Sequence, residues 1–228
     1  MQTPSSPYIP QIRLEQLDPA QAPDLTQFYQ MMNEPDLLPR PEDEFRAAAE
    51  SGLMFVVLDG AAIVAAAGVF DVQDGYVELG ATGVVARFRG YQLQQLLARV
   101  RVAAVVAHQG KTIEQTTAIK PANVASNKSM ASIGFTPWAN PISAMTAPCA
   151  GCVTPPGPGR TCCCDFLHLP AAAKHQRVEE LLSEVAHRGA IFTRTNKQTQ
   201  HVIHIAVNTV IVEGAHRRDL EEYVQAGP

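Results

Sequence analysis

Apolar positions recur along this chain in two rhythms. Ile12 and Leu14 alternate with Arg13 and Glu15, which predicts a short strand over 11–17, broken by Leu17. Asp18-Pro19 then opens a helix, with Asp as cap and Pro in the first turn. Its apolar residues Leu25, Phe28, Tyr29 and Met32 fall at spacings of three and four, on one face. Pro35, Pro39 and Pro41 interrupt the chain before a second helix over 42–51, closed by Gly52. Leu53 to Leu58 is apolar throughout, the mark of a strand buried on both sides. Asp59-Gly60 is a strong hairpin signal. The strand returns over 61–70, turns again at Asp74-Gly75, and continues over 76–85.

A helix over 91–108 places Leu93, Leu96, Leu97 and Val100 on one face and ends at Gly110. Residues 112–119 alternate as a strand, with Ile113, Gln115, Thr117 and Ile119 facing one way. The helix over 121–133 stops at Gly134, suited to a left-handed C-terminal turn. Residues 135–147 read as a strand whose prolines place it at an edge or a bend. A Gly/Pro-rich loop over 149–160 leads to a strand over 161–169. Val178, Leu181, Leu182 and Val185 define an amphipathic helix over 171–187. In the long β-branched run over 200–212, one face carries Ile203, Ile205, Val207, Thr209 and Ile211. The other carries Val202, His204, Ala206, Val210 and Val212. Both faces are largely apolar, so burial on both sides is expected, by extending a sheet or by pairing with a second subunit in a homodimer. A short helix over 217–224 follows, and no internal repeat is present.

Composition narrows the field. With 46% apolar residues, 228 residues suffice for one large domain, or one domain with an extension. Net charge is −4 without a basic block, which argues against nucleic acid and is compatible with an amine ligand. The lead over 1–10 is polar and proline-rich and reads as a flexible segment, without the basic start and apolar run of a secretory signal. No apolar run reaches the roughly 18 residues of a membrane span, so a cytoplasmic protein is expected.

The chemistry gathers at Val84-Val85-Ala86-Arg87-Phe88-Arg89-Gly90-Tyr91-Gln92-Leu93. A strand end, a glycine turn and a helix start come in succession. The first N–H groups of a helix lack internal partners, and the dipole adds partial positive charge there. Such a turn seats an anion, most naturally a phosphate or diphosphate.

Two stretches resemble the GCN5-related N-acetyltransferase superfamily. Arg87-Phe88-Arg89-Gly90-Tyr91-Gln92 is similar to its Arg/Gln-x-x-Gly-x-Gly/Ala turn, with Gln92 in place of the second small residue. Asn123, Ser126, Met130 and Gly134-Phe135 are similar to its Asn-x-x-Ser/Ala … Gly-Phe helix. The likeness covers about residues 11–169. It implies an α/β (α+β) fold, a mixed and mostly antiparallel central sheet flanked by helices. Residues 170–228 would be a helix-strand extension packed on the same domain or on a partner subunit.

The resemblance implies acetyl-CoA as cosubstrate and a small-molecule or peptide amine as acceptor, by direct attack in a ternary complex. The backbone of Val84 and Val85 would bond the pantetheine arm at a splay between parallel strands. Arg87, Arg89, Gly90, Tyr91 and Gln92 would hold the diphosphate, the guanidinium groups through charge-assisted bonds. Asn123 would face the cosubstrate or simply cap its helix. Glu78, on the strand leading to the turn, is the candidate base, and its other reading is a solvated carboxylate. Many relatives carry a tyrosine acid where Met130 stands. Methionine has no proton to give, which leaves Ser126, a water or no acid. Gln92 and Met130 also fit a degenerate acyl-CoA-binding regulatory module.

All five cysteines lie between Cys149 and Cys164. In a strand, Cys162, Cys164 and His168 would share one face, and Cys149 and Cys152 could approach it across a hairpin. That arrangement would allow a tetrahedral zinc site, in a zinc-stabilised interaction module if the cysteines alone define the protein. The other reading is buried thiols acting as small apolar side chains. His201, His204 and His216 read as ordinary polar residues without a catalytic role.

Overall fold

The computed structural model describes residues 12–34, 37, 40–73, 75–146, 162–188, 191–208 and 214–227. The lead over 1–10, and Cys149 and Cys152, lie outside these residues.

The first half follows the hydrophobic pattern. β1 (Ile12–Gln16) is followed by a 3-10 turn over Pro19–Gln21, where the Asp18 carboxylate accepts the Ala20 N–H at 2.9 Å. α1 (Ala22–Met32) comes next. α2 (Glu42–Glu50) carries Glu42, Asp43 and Glu44 in its first turn, where the helix dipole favours acids. β2 (Met54–Asp59), β3 (Ala62–Gln73) and β4 (Tyr76–Val84) form the expected meander. Then come α3 (Leu93–Gln109), β5 (Glu114–Ile119) and α4 (Val124–Ile133), which starts later than expected because Asn123 caps it.

The second half departs further. The expected strand over 135–147 yields only β6 (Thr136–Pro137), followed by the short helix α5 (Ser143–Thr146). Pro137 and Pro141 have no N–H to give a ladder. Trp138 makes the last bond, to the Phe166 carbonyl at 2.9 Å. The strand over 161–169 shortens to β7 (Asp165–His168), with a bend at Cys163 and Cys164 before it. α6 (Ala171–Arg188) matches the expectation. β8 (Ile191–Thr195) was not expected, since only Ile191 and Phe192 of its five residues are apolar. β9 (Val202–Asn208) occupies the start of the long β-branched run, whose residues 209–212 lie outside the described ones. α7 (Gly214–Ala226) completes the described elements.

Among the described residues these strands form one nine-stranded sheet, ordered β6-β7-β5-β4-β3-β2-β1-β9-β8. It is mostly antiparallel. β4 runs parallel to β5, and β1 parallel to β9. β9 thus extends the sheet, with Leu14 beside Val207. Burial of β9 on both faces does not hold. Ile203, Ile205 and Val207 join the core, while Val202 on the other face is 45% exposed.

Helices cover both faces. Phe55 and Val57 pack with Leu96, Leu97 and Val100 of α3. Met54, Val56 and Leu58 pack with Leu25 and Phe28 of α1 and Phe45 of α2. β2 is therefore central and two-sided, which is why its sequence does not alternate. Each such side chain contributes about 1.5–3 kcal/mol by leaving water.

Two irregularities open the sheet. β4 and β5 pair only from Tyr76–Glu114 to Glu78–Thr116, although β4 runs on to Val84 and β5 to Ile119. The strands splay beyond that point. On the other side of β4, the register with β3 slips between Ala66 and Gly68, and Ala81 adopts φ 48°. This bulge redirects the strand next to the splay. Its carbonyls are pinned from below. Arg101 donates to Gly68 at 3.1 Å and to Gly80 at 3.0 Å, and the Tyr29 hydroxyl donates to Ala81.

Candidate active site

The turn between β4 and α3 has the expected character. Val85 spends its N–H on Val64 at 3.0 Å and its carbonyl on Phe88 at 2.9 Å. Its N–H is therefore committed within the protein, and the second lone pair of its carbonyl is what it has to offer a ligand. Val84 faces an outer cleft of about 390 Å³, and its carbonyl accepts from Arg89 Nε at 3.3 Å. The N-terminus of α3 has no side-chain cap, so its first amides are open toward this cleft. Gln92 sits there at φ 61°, a left-handed backbone that costs a non-glycine residue about 1–2 kcal/mol. Gly90, at φ 90°, also lines the cleft.

The two arginines behave differently. Arg89 borders the cleft and pairs with Glu34 of the segment after α1. Arg87 points elsewhere, 3.3 Å from Asp59, with a side chain 64% exposed. Tyr91 is buried, and its hydroxyl meets His201 Nδ1 at 2.7 Å. Arg87 and Tyr91 therefore do not line the cleft.

α4 forms the opposite wall. The Ser126 N–H donates to Asn123 Oδ1 at 3.1 Å, which makes Asn123 its N-cap. At the other end Gly134 adopts φ 105°, and a Cβ there would meet that of Ala173 at 2.7 Å. Glycine thus lets α4 dock against α6. Ser126 accepts from Gln94 Nε2 at 3.2 Å.

A smaller inner cavity of about 90 Å³ lies in the splay between β4 and β5. Glu78, Met130 and Cys164 are among its walls. Thr82, Gln94, Asn123 and Ser126 border both clefts, so the two meet at α4. Glu78 does not stand free: Arg40 donates to it at 2.7 Å, and also to Glu44 at 2.7 Å. Burial works against the Arg40 charge, but these carboxylates outweigh it and hold the guanidinium above its ordinary value. Beneath, burial pulls Arg101 down to about 10 and pushes the Tyr29 phenol well above its ordinary range.

The cysteines converge in a way the strand reading did not foresee. Cys162, Cys163 and Cys164 are buried, and their sulfurs all lie within 4.8 Å of one another. They are not on a strand, so the alternation argument fails and Cys163 joins the group. His168 does not. It lies on β7, with Nε2 3.1 Å from Thr136 Oγ1.

Sequence reasoning missed Thr82 and Gln94, which carry no motif. It also missed Lys197, which borders the outer cleft from the β8–β9 turn. A polar Asn196-Lys197-Gln198-Thr199-Gln200 tract before the β-branched run was the available signal.

This architecture defines a class of protein. The fold is that of the GCN5-related N-acetyltransferases. Arabidopsis thaliana Naa50, in complex with the bisubstrate analogue CoA-Ac-MVNAL, superposes with TM-score 0.52 at 13% identity, over 70% of this chain and 98% of that one. A chimeric spermidine N-acetyltransferase from Vibrio cholerae superposes with TM-score 0.50 at 10% identity, over 72% and 98%. At these identities the likeness is one of fold. The sequence matches no family model and no curated protein. Among the described residues no helix is long and apolar enough to cross a membrane.

Proposed function

We propose that this chain transfers an acetyl group from acetyl-CoA to a primary amine within a ternary complex. One observation carries the reading. Two clefts, one ending at an uncapped helix start and one at the half-buried carboxylate of Glu78, meet at Thr82, Gln94, Asn123 and Ser126. The diphosphate would rest on the α3 amides with Arg89, and the thioester would reach the junction. The acceptor, a small-molecule or peptide amine, would enter the inner cleft. Holding the two reactants in line supplies much of the rate. The amine nitrogen attacks the thioester carbonyl carbon, an N–C bond forms, and the C–S bond breaks. The ammonium proton passes to Glu78, directly or through water. The leaving thiolate takes a proton from Ser126 or water.

The competing reading, an acyl-CoA-binding module without turnover, would rest on the pairing of Glu78 with Arg40 and on Gln92. Thiol release across an amine panel, measured beside coenzyme A calorimetry, separates them. Release with any amine supports the enzyme. Binding without release across the panel supports the module. Absence of both removes the two together.

The three thiols support a metal as well. Ligands at about 2.3 Å from one ion lie just under 4 Å apart. Cys163 and Cys164 sulfurs are 4.0 Å apart, and the Cys164 N–H donates to Cys162 Sγ at 3.5 Å. We propose that Cys162, Cys163 and Cys164 bind a thiophilic cation such as zinc, pinning the bend that brings Cys164 to the inner cleft. About one zinc per purified chain is expected. Metal-free protein with unchanged thermal stability would remove the site. Full zinc occupancy in the Cys162→Ser/Cys163→Ser/Cys164→Ser variant would place it elsewhere.

A further inference from the structure

The C-terminal hairpin lies outside the region of family resemblance, yet it is fastened to the diphosphate turn. Asn196, only 7% exposed, is its rivet. Its Nδ2 donates to the Arg89 carbonyl at 3.0 Å, and its Oδ1 accepts from the N–H groups of Gln198 and Thr199 at 2.9 and 3.1 Å. The Asn196 N–H closes the hairpin onto the His201 carbonyl at 2.8 Å. His201 in turn meets the Tyr91 hydroxyl. Lys197 donates its backbone N–H to the Gly90 carbonyl at 3.3 Å. A Cβ on Gly90 would lie 2.9 Å from Asn196 Nδ2. Glycine at this position is therefore required by the hairpin, independently of any ligand.

This docking sets one side chain at the cleft. Lys197 is exposed and borders the outer cleft beside Arg89 and Gly90. Arg87 and Arg89 are both engaged by carboxylates, Asp59 and Glu34. Lys197 makes no ion pair among the described residues. It is the cation at this turn whose charge is not already answered.

We propose that Lys197 is a ligand of the cosubstrate's diphosphate, contributed by the β8–β9 hairpin, with Asn196 as its positioning residue. The proposal rests on the acetyl-CoA reading above. The diphosphate is then held from two sides, by the α3 amides and by an ammonium group from the extension.

Calorimetry with coenzyme A and with dephospho-coenzyme A, which lacks the ribose phosphate, tests this in the full chain. Lys197→Ala is expected to weaken both ligands about tenfold and to flatten the salt dependence of binding. Lys197→Arg is expected to restore most of the affinity. The lysine is exposed, so the variants keep the thermal stability of the native chain, which serves as the control. Undiminished binding of both ligands by Lys197→Ala overturns the role of Lys197 while leaving the acetyl-CoA reading intact. A loss confined to coenzyme A assigns Lys197 to the ribose phosphate and overturns the diphosphate contact. A native chain that binds neither ligand removes the acetyl-CoA reading, and this proposal with it.

Discussion

Arg40 Nη2 donates to Glu78 Oε2 at 2.7 Å inside the cavity where β4 and β5 part. The same guanidinium lies 3.8 Å over the Phe70 ring, so its position is fixed by packing as well as charge. Glu78 is thus oriented, and any proton it takes must be taken beside a cation. The Glu78→Gln variant keeps shape and size but cannot accept that proton. Its kcat is expected to fall about 10²- to 10⁴-fold, with coenzyme A affinity unchanged, because Glu78 does not border the outer cleft. Steady-state kinetics beside calorimetry checks this. An unchanged kcat would remove Glu78 as the base.

Gly90 answers to two constraints, a left-handed backbone and the contact with Asn196. Gly90→Ala meets both penalties and is expected to lower stability by about 1–3 kcal/mol. Gly90→Asp adds a negative charge at the proposed anion seat and is expected to abolish coenzyme A binding. Thermal unfolding and calorimetry on the two variants separate strain from charge. Full affinity in Gly90→Asp would count against the seat.

The first half of the fold was legible because its signals are local. Asp59-Gly60 and the apolar run of β2 each state one answer. The turn at Arg87–Gln92 was legible by resemblance, but the duties of its residues were not. Whether Arg87 reaches a ligand depends on Asp59, a residue 28 positions away in sequence. The Val85 N–H is spent on Val64 for the same kind of reason. β8 was missed because its ladder partners, not its own apolarity, make it a strand. The thiol cluster was seen in outline, but strand alternation misplaced it. The chain bends at Cys163 and Cys164, and a bend brings neighbouring side chains together where a strand separates them.

A histidine pair gives a pH dependence. The His108 ring of α3 lies 4.4 Å from that of His216 on α7, centroid to centroid. Burial, then His216, hold His108 below its ordinary value. The folded chain therefore takes up this proton less readily than the unfolded chain. Stability is present above the unfolded value, near 6.5, and is lost as pH falls from there toward the folded value. Chemical denaturation between about pH 7.5 and 5 is expected to show this decline. It should be shallower in His108→Gln, which cannot charge. An identical slope in the variant would assign the decline to other groups.

Arg101 is a fully buried cation placed under the bulge rather than against a carboxylate. Its donors go to the carbonyls of Leu97, Gly68 and Gly80, and Nη2 has no partner among the described residues. Burying a charge in this way is costly, so removing it offers a gain. Removing it also strands the Gly68 and Gly80 carbonyls, at about 1–3 kcal/mol each, where no water or neighbour replaces the donor. The second effect is larger, because two carbonyls lose a charged donor at once. Arg101→Met, which keeps the volume, is expected to lower stability by about 2–5 kcal/mol in urea unfolding. It should also lower kcat more than coenzyme A affinity, since Gly80 walls the inner cleft and not the outer one. A variant as stable as the native chain would show that the bulge holds itself, and that the buried charge is retained for another reason.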